Sequence, residues 1–417
     1  MTISESVLID STIGRNASNA IDFHSLPRFR WYGYKEGFSR KLVEEAISSV
    51  GLESDDFILD PFNGSGTVTL TASINNIKSI GVEVNPFVAF MAETKLENCS
   101  PYQLSICMER ILTSASKGVR SPLTGFSTFT KKSDSSKWLF NNSVIDSFEG
   151  GWRSSLSLPN SERKIVQLSL IGAAMDNCNA TKDGKCLKYR TSWKDRNFND
   201  KTFINSLEER FKNCLDDLKT EPIQNNAYII NSDSRYAIKD IPIRYKLCIT
   251  SPPYLNSFDY TDIYRPELFL GRFVRSNDEL KGLRYKTIRS HVEIVLPLPV
   301  KNSFGDVFLS VFKKILDSKE IWSKQIPIMI QCYFEDMEKV LIDLYAKAKT
   351  DGELWLVVAN SVYAGVEIPV DLILAEIGTK NKWKLKRIEV LRYINRRKTK
   401  YNGGIEKVRE SLIVLHK

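Results

Sequence analysis

Two short segments carry residues whose types and spacing suit the handling of one small charged ligand and one planar ligand. The first is Asp60-Pro61-Phe62-Asn63-Gly64-Ser65-Gly66-Thr67, directly after an apolar run and directly before a helical pattern. Its glycines permit a sharp turn and close approach of a ligand to the backbone. The helix start offers unpaired N–H groups to a carboxylate, and Asp60 offers an acceptor to an ammonium group. A small zwitterion satisfies both, though a lone glycine-rich turn is also a common structural bend. The second segment is Thr250-Ser251-Pro252-Pro253-Tyr254, straight after the strand Leu247-Cys248-Ile249. Two prolines stiffen the chain and remove two N–H donors, leaving fixed acceptors. With a hydroxyl before them and an aromatic ring after them, the set suits a planar base bearing an NH2 group. The alternative is a proline-rich turn leaving a strand.

Two further acids stand where such a ligand would need them. Glu83, followed by Asn85, closes the next strand 23 residues after Asp60. This is close to the ~20-residue spacing at which nucleotide-binding α/β folds place an acid on ribose hydroxyls. Asp233, in Asn231-Ser232-Asp233-Ser234-Arg235, follows a strand and would lie at the same sheet edge, able to accept from an adenine amino group. The bland readings are a solvated acid at a strand end for Glu83 and an Asx-turn for Asp233.

The elements that must position these residues read as a doubly wound α/β fold. Residues 38–50 form a helix with Ser39 as N-cap and Gly51 as stop. Strand 57–59, helix 67–76, strand 79–84 and a helix from Pro86 to about 97 follow in alternation. Residues 98–220 break this rhythm and read as a largely helical insertion, with helices at 160–178 and 202–219 and a basic, polar loop at 181–201. Strands return at 227–230, 246–249 and 353–358. Helices are expected at 303–318, from 326 to 349 and near 369–378. Two last strands, 383–393 and 409–416, could pair across a basic loop. Residues 1–37 read as a loose polar lead-in.

Composition narrows the partners. The chain of 417 residues, 42% hydrophobic and 26% charged, can bury a large core. Lysine and arginine number 59 against 50 acids, and a surplus of +9 suits a polyanion. Seven cysteines without a CxxC pair and only three histidines argue against a zinc site or disulfide framework, so no metal is expected. No apolar run reaches the ~18 residues of a membrane helix, and the start lacks a signal-peptide pattern. A cytoplasmic protein with no membrane partner is expected.

Together, Asp60–Thr67 and Ser251–Tyr254 resemble the cofactor and catalytic motifs of the DNA amino-methyltransferases, the enzymes that methylate N4 of cytosine or N6 of adenine. Phe38 to Ala46 is similar to the helix flanking the methionine end of that family's cofactor. Ser251 through Tyr260, running on to Tyr264-Arg265-Pro266-Glu267-Leu268, resembles a bacterial DNA methylase subgroup, and Arg409 to Val414 resembles the closing strand. The resemblance implies a mostly parallel, seven-stranded Rossmann-like sheet with an antiparallel C-terminal strand. It implies S-adenosyl-L-methionine as cofactor, held by Phe38, Ser39, Asp60, Pro61, Phe62, Asn63, Gly64, Ser65, Gly66, Thr67, Glu83, Asn85 and Asp233, with Ser251, Pro252, Pro253 and Tyr254 catalytic. Serine before Pro-Pro-Tyr leans toward cytosine in the family and aspartate toward adenine, so N4 of cytosine is the favoured target and N6 of adenine the alternative. An RNA amino-methyltransferase and a silent DNA-binding protein are further alternatives.

Double-stranded DNA is the expected partner, with a cognate restriction endonuclease beside it. Three basic stretches are candidates to hold DNA: Lys188, Arg190, Lys194 and Arg196 in the insertion; Arg272, Arg275, Arg284 and Lys286 after the catalytic motif; and Arg396, Arg397 and Lys398 near the end. The domain division is then 1–37, a catalytic domain of 38–97 and 221–417, and the insertion 98–220 as a target-recognition region. The cofactor motif precedes the catalytic one, the reverse of many relatives, so the family's usual placement of such a region does not carry over.

Overall fold

Short runs rich in β-branched and aliphatic residues set the strands of the central sheet. The computed structural model describes residues 5–11, 21–125, 137–183, 186–224, 226–396 and 404–417. The strands are β1 (Leu8–Asp10), β2 (Phe57–Asp60), β3 (Lys78–Val82), β4 (Ala180–Asp183), β5 (Cys186–Tyr189), β6 (Ala227–Ile230), β7 (Tyr245–Thr250), β8 (Ala348–Ala359), β9 (Ser361–Tyr363), β10 (Val366–Ile368), β11 (Lys384–Asn395) and β12 (Lys407–His416). The α-helices of the first half are α1 (Arg40–Val50), α2 (Thr67–Ile74), α3 (Pro86–Lys95), α4 (Pro101–Lys117), α5 (Asn142–Ser155), α6 (Asn160–Asp176) and α7 (Asp200–Thr220). Those of the second half are α8 (Ser234–Ala237), α9 (Tyr260–Ile263), α10 (Arg265–Leu270), α11 (Asn277–Lys286), α12 (Asp306–Asp317), α13 (Gln325–Lys347) and α14 (Val370–Lys380).

The central sheet runs β1-β11-β12-β8-β7-β2-β3-β6. All neighbouring pairs are parallel except those made by β12, which lies antiparallel between β8 and β11. The expected seven strands and the antiparallel closing strand are therefore present, and an eighth, β1, is added at one edge. The strand order reverses between β2 and β7, so the crevice at their carboxyl ends is the switch point where open α/β sheets bind ligands. Both sequence motifs leave the sheet there. β2 and β7 are buried on both faces, which is why they read as continuous apolar runs and not as alternation.

Two segments differ from their sequence reading. Residues 21–37 are not loose: Phe23, Phe29, Trp31 and Tyr32 are buried, and Arg28 is fully enclosed. Its guanidinium donates to the carbonyls of Lys95 (3.0 Å), Glu97 (2.9 Å) and Glu221 (2.9 Å) and to Asn98 Oδ1 (2.7 Å). These acceptors lie at the two ends of the insertion, so one side chain ties them together. The polar run looked solvated because the partners that bury it lie far away in sequence. The expected loop at 181–201 instead holds the antiparallel hairpin β4–β5. Helices α4 and α5, unread in the sequence, complete an insertion that shares a single apolar cluster with Trp31, Phe87, Met91 and residues of α9 to α11. The insertion is thus packed directly onto the segment that follows the catalytic motif. Among the described residues, no helix is long and apolar enough to cross a membrane.

Candidate active site

The cofactor-type turn is held by its own polar groups. Asp60, the last residue of β2, is buried, and its Oδ1 accepts the Phe62 N–H (3.0 Å) and the Thr250 hydroxyl (2.6 Å). The second bond ties the turn to the residue just before Ser251. Asn63 N–H donates to the Val82 carbonyl (2.9 Å), and the Gly66 N–H donates back to the Asn63 carbonyl (2.9 Å). Gly64 and Gly66 have φ of +49° and +87°, a region costly to side chains. A Cβ on Gly66 would also lie 3.0 Å from the Ala92 methyl, so this glycine lets α3 approach the turn.

Glu83 reaches back across the crevice. Its carboxylate accepts the Gly64 N–H (3.0 Å) and the Asn85 N–H (2.8 Å), and Asn85 in turn caps α3 through the Phe87 N–H (3.1 Å). Burial pushes the carboxyls of Asp60 and Glu83 each up to about 7; the backbone and Thr250 hydrogen bonds oppose the shift but do not overcome it. Asp233 caps α8, accepting the Arg235 N–H (3.0 Å), and pairs with the Arg235 guanidinium (2.6 Å), itself braced by Asp336 (3.1 Å).

The Pro-Pro-Tyr segment stands opposite. Pro252 is buried. The Ser251 hydroxyl donates toward the Tyr254 oxygen (3.4 Å), the Tyr254 hydroxyl donates to Glu410 Oε1 (2.8 Å), and Glu410 Oε2 accepts from Arg392 Nε (2.6 Å). Burial, followed by the Glu410 charge, holds the Tyr254 hydroxyl well above its ordinary range, so it stays a donor.

One pocket of about 270 Å³ opens between the two motifs. Of the sequence-predicted residues, Phe38, Asp60 to Ser65, Thr67, Glu83, Asn85, Asp233 and all four of Ser251 to Tyr254 line it. Ser39 and Gly66 are not among the lining residues: Ser39 caps α1 by accepting the Leu42 N–H (3.3 Å), and Gly66 packs on α3. Several lining residues had not been singled out for the site. Tyr34 stacks on Tyr264 (5.6 Å between ring centres), and Tyr264 donates to Glu36 (2.8 Å). His291 and Glu410 line the far wall. Glu410 was legible in principle, because an antiparallel last strand delivers its first half to the carboxyl edge where ligands bind.

The basic candidates separate by environment. Lys286 lines the pocket. Arg272 pairs with Glu149 (2.5 Å), and Arg284 pairs with Asp259 (2.6 Å) and Asp262 (3.3 Å), so both are engaged inside the chain. Arg190 donates to the Cys178 carbonyl (3.0 Å) and Arg396 toward the Val362 carbonyl (3.5 Å). Lys188, Lys194, Arg196 and Arg275 are exposed. Arg397 and Lys398 lie outside the described residues.

Residues 11–93 match the family described as DNA methylase. The chain is 25% identical to the type II methyltransferase M.BsoBI of Geobacillus stearothermophilus, over 87% of this chain and 80% of that one. These matches support an S-adenosylmethionine-dependent DNA amino-methyltransferase. The methyltransferase is also 27% identical to the type II methyltransferase M.AvaI of Nostoc sp., over 88% of this chain and 81% of the relative. Among solved structures, the rRNA methyltransferase aviRa of Streptomyces viridochromogenes superposes with a TM-score of 0.31 at 10% identity, over 95% of this chain and 90% of that one.

The methyltransferase uses S-adenosylmethionine, and the pocket fits it. The buried atoms Asn63 Nδ2, Ser65 Oγ and Asn85 Nδ2 have no hydrogen-bond partner among the described residues, and all three residues line the pocket. Unpaired buried polar atoms are costly, and a polar ligand relieves them. The carboxylates of Asp60, Glu83 and Asp233 on the same walls suit its ammonium, ribose and amino groups.

Proposed function

We propose that the chain is a site-specific methyltransferase of duplex DNA that modifies the exocyclic N4 of cytosine after flipping the base into the pocket. The observation that carries this reading is the Asp60–Thr250 hydrogen bond, which holds the cofactor turn and the Ser251–Tyr254 segment as walls of one pocket. Bound S-adenosylmethionine supplies an electrophilic methyl group on its sulfonium. Asp60 to Ser65, Thr67, Glu83, Asn85 and Asp233 hold it, with Phe38 along one side.

The exocyclic amine is a poor nucleophile because its lone pair is conjugated with the ring. Ser251 Oγ and the Pro252 carbonyl accept its two N–H bonds and favour a pyramidal nitrogen, which frees the lone pair. Orientation of this kind lowers a barrier by several kcal/mol, about 7–11 at best. The Tyr254 ring supports the extruded base. The product nitrogen is cationic and loses a proton readily, so no strong base is needed. Direct in-line transfer without a covalent enzyme intermediate is supported by Cys248: it is enclosed on β7, and burial pushes its thiol far above the range of reactive cysteines.

Cytosine over adenine rests on Ser251, a neutral side chain where an aspartate leans toward adenine. The exposed Lys188, Lys194 and Arg196 of the insertion and Arg275 are the DNA contacts of this reading, with the insertion as the target-recognition region. The type II designation of the matched relatives supports a cognate restriction endonuclease sharing the recognition site. Single-molecule sequencing of genomic DNA from cells expressing the protein tests the assignment. N4-methylcytosine at one recurring sequence is the expected result; N6-methyladenine alone overturns the choice of base.

A further inference from the structure

A serine hydroxyl is both donor and acceptor. At position 251 only the acceptor is useful, because the target amine brings N–H groups of its own. Something must hold the Ser251 proton away from the base. An aspartate at that position would need no such help, since an ionised carboxylate only accepts.

The structure assigns this task to Glu410. We infer that Glu410 is a positioning residue for the catalytic segment: through the Tyr254 hydroxyl it draws the Ser251 proton out of the pocket and leaves the Ser251 lone pairs facing the target amine. The inference rests on the reading of Ser251 given above. The chain of donors has one direction. Arg392 Nε (2.6 Å) and the Tyr254 hydroxyl (2.8 Å) both donate to Glu410, one to each of its side-chain oxygens. Tyr254, having spent its only proton on Glu410, can only accept, and the Ser251 hydroxyl points to it at 3.4 Å. That distance is long for two hydroxyls, so a small rotation of Ser251 makes or breaks the contact; catalytic hydrogen bonds often tighten only when substrate binds.

The fold explains why Glu410 is available. β12 is antiparallel, so its first half lies at the carboxyl ends of β7 and β8. Glu410 pairs with Ala359 of β8 on one side and faces Arg392 of β11 on the other, at a register shift between Val390 and Arg392. Glu410 is 2% exposed, and both it and Arg392 border the pocket. A buried carboxylate is tolerated only when it is well paired, and here one of its two partners is the catalytic tyrosine.

A double-mutant cycle tests the inference. In Glu410→Gln the amide NH2 can donate to Tyr254 and reverse the chain, while the shape is kept. In Tyr254→Phe the supporting ring remains and the hydroxyl is gone. Each single variant is expected to lower kcat for DNA methylation by about 10- to 100-fold, the rate equivalent of one charge-assisted hydrogen bond. KM for DNA and the calorimetric affinity for S-adenosylmethionine should stay within about threefold, and the double variant should be no slower than the slower single one. Full activity of Glu410→Gln, or losses that multiply in the double variant, overturns the inference. Loss of cofactor affinity in both single variants also overturns it, because Glu410 would then be a prop of the pocket wall. A wild-type protein that methylates no DNA brings down the parent reading and this one with it; an active wild type beside a fully active Glu410→Gln removes this inference alone.

Discussion

At the scale of single residues, the site concentrates ionisable groups in a place that disfavours their charge. Asp60 and Glu83 are each pushed up to about 7 by burial, so in the free protein both are partly protonated at neutral pH. In the proposed reading their ionised forms accept from the cofactor's ammonium and ribose. Cofactor affinity should therefore rise with pH, by about tenfold between pH 6 and pH 8 for one group of pKa 7, with proton release at neutral pH. Stability without ligand runs the other way. These folded pKa values are raised above the unfolded ones, so the folded state binds more protons between about pH 4 and 7 and loses stability as pH rises through that window. Calorimetric titration with S-adenosylmethionine at pH 6, 7 and 8 checks the first statement; a flat affinity profile contradicts it. Most of these residues were legible because they sit in two contiguous motifs placed after strands. Tyr34 and His291 were not, because each reaches the pocket from an element remote in sequence and bears no local mark of chemistry.

At the scale of elements, legibility followed the hydrophobic period. Buried strands such as β2 and β7 and capped helices such as α1 and α3 were read close to their observed limits, because burial and caps leave local traces. Asn85 and Pro86 mark the start of α3, and Gly51, at φ +64°, ends α1. Helix α5 was missed for a physical reason: it contains Gly150 and Gly151, which local propensity counts against a helix by about 1 kcal/mol each. Tertiary packing demands them. A methyl group on Gly150 would collide with the Ser114 carbonyl of α4, and one on Gly151 would lie 2.7 Å from the Leu170 side chain of α6. Gly150→Ala should therefore destabilise the protein by about 1–3 kcal/mol despite its better helix propensity, an overpacking effect. Thermal unfolding measures this. A variant as stable as the wild type would mean that α4 and α5 are not so closely apposed.

At the scale of the whole molecule, one sheet edge gathers everything the chemistry requires. The switch between β2 and β7 opens the crevice, the two motifs form its walls, and β12 returns against the strand direction to add Glu410. The insertion is not a detached lobe: Lys182 of β4 pairs with Glu267 of α10 (2.6 Å) and lies over the Tyr264 ring (3.5 Å), a residue of the pocket wall. The insertion is therefore in direct contact with the pocket wall. The packing of the insertion was not legible beforehand, since it depends on which surfaces of a helical segment meet the rest of the chain, and a solvated basic loop and a packed hairpin have similar sequences. The account stands on direct transfer within the shared pocket. Its most direct test is incubation of the purified protein with duplex DNA and methyl-labelled S-adenosylmethionine, followed by nucleoside digestion and mass spectrometry, beside Ser251→Ala. The wild type should place the label on N4 of cytosine, and Ser251→Ala should bind the cofactor normally yet transfer at a rate lower by about 100-fold. Label on a ring carbon, or undiminished transfer by Ser251→Ala, would contradict the account.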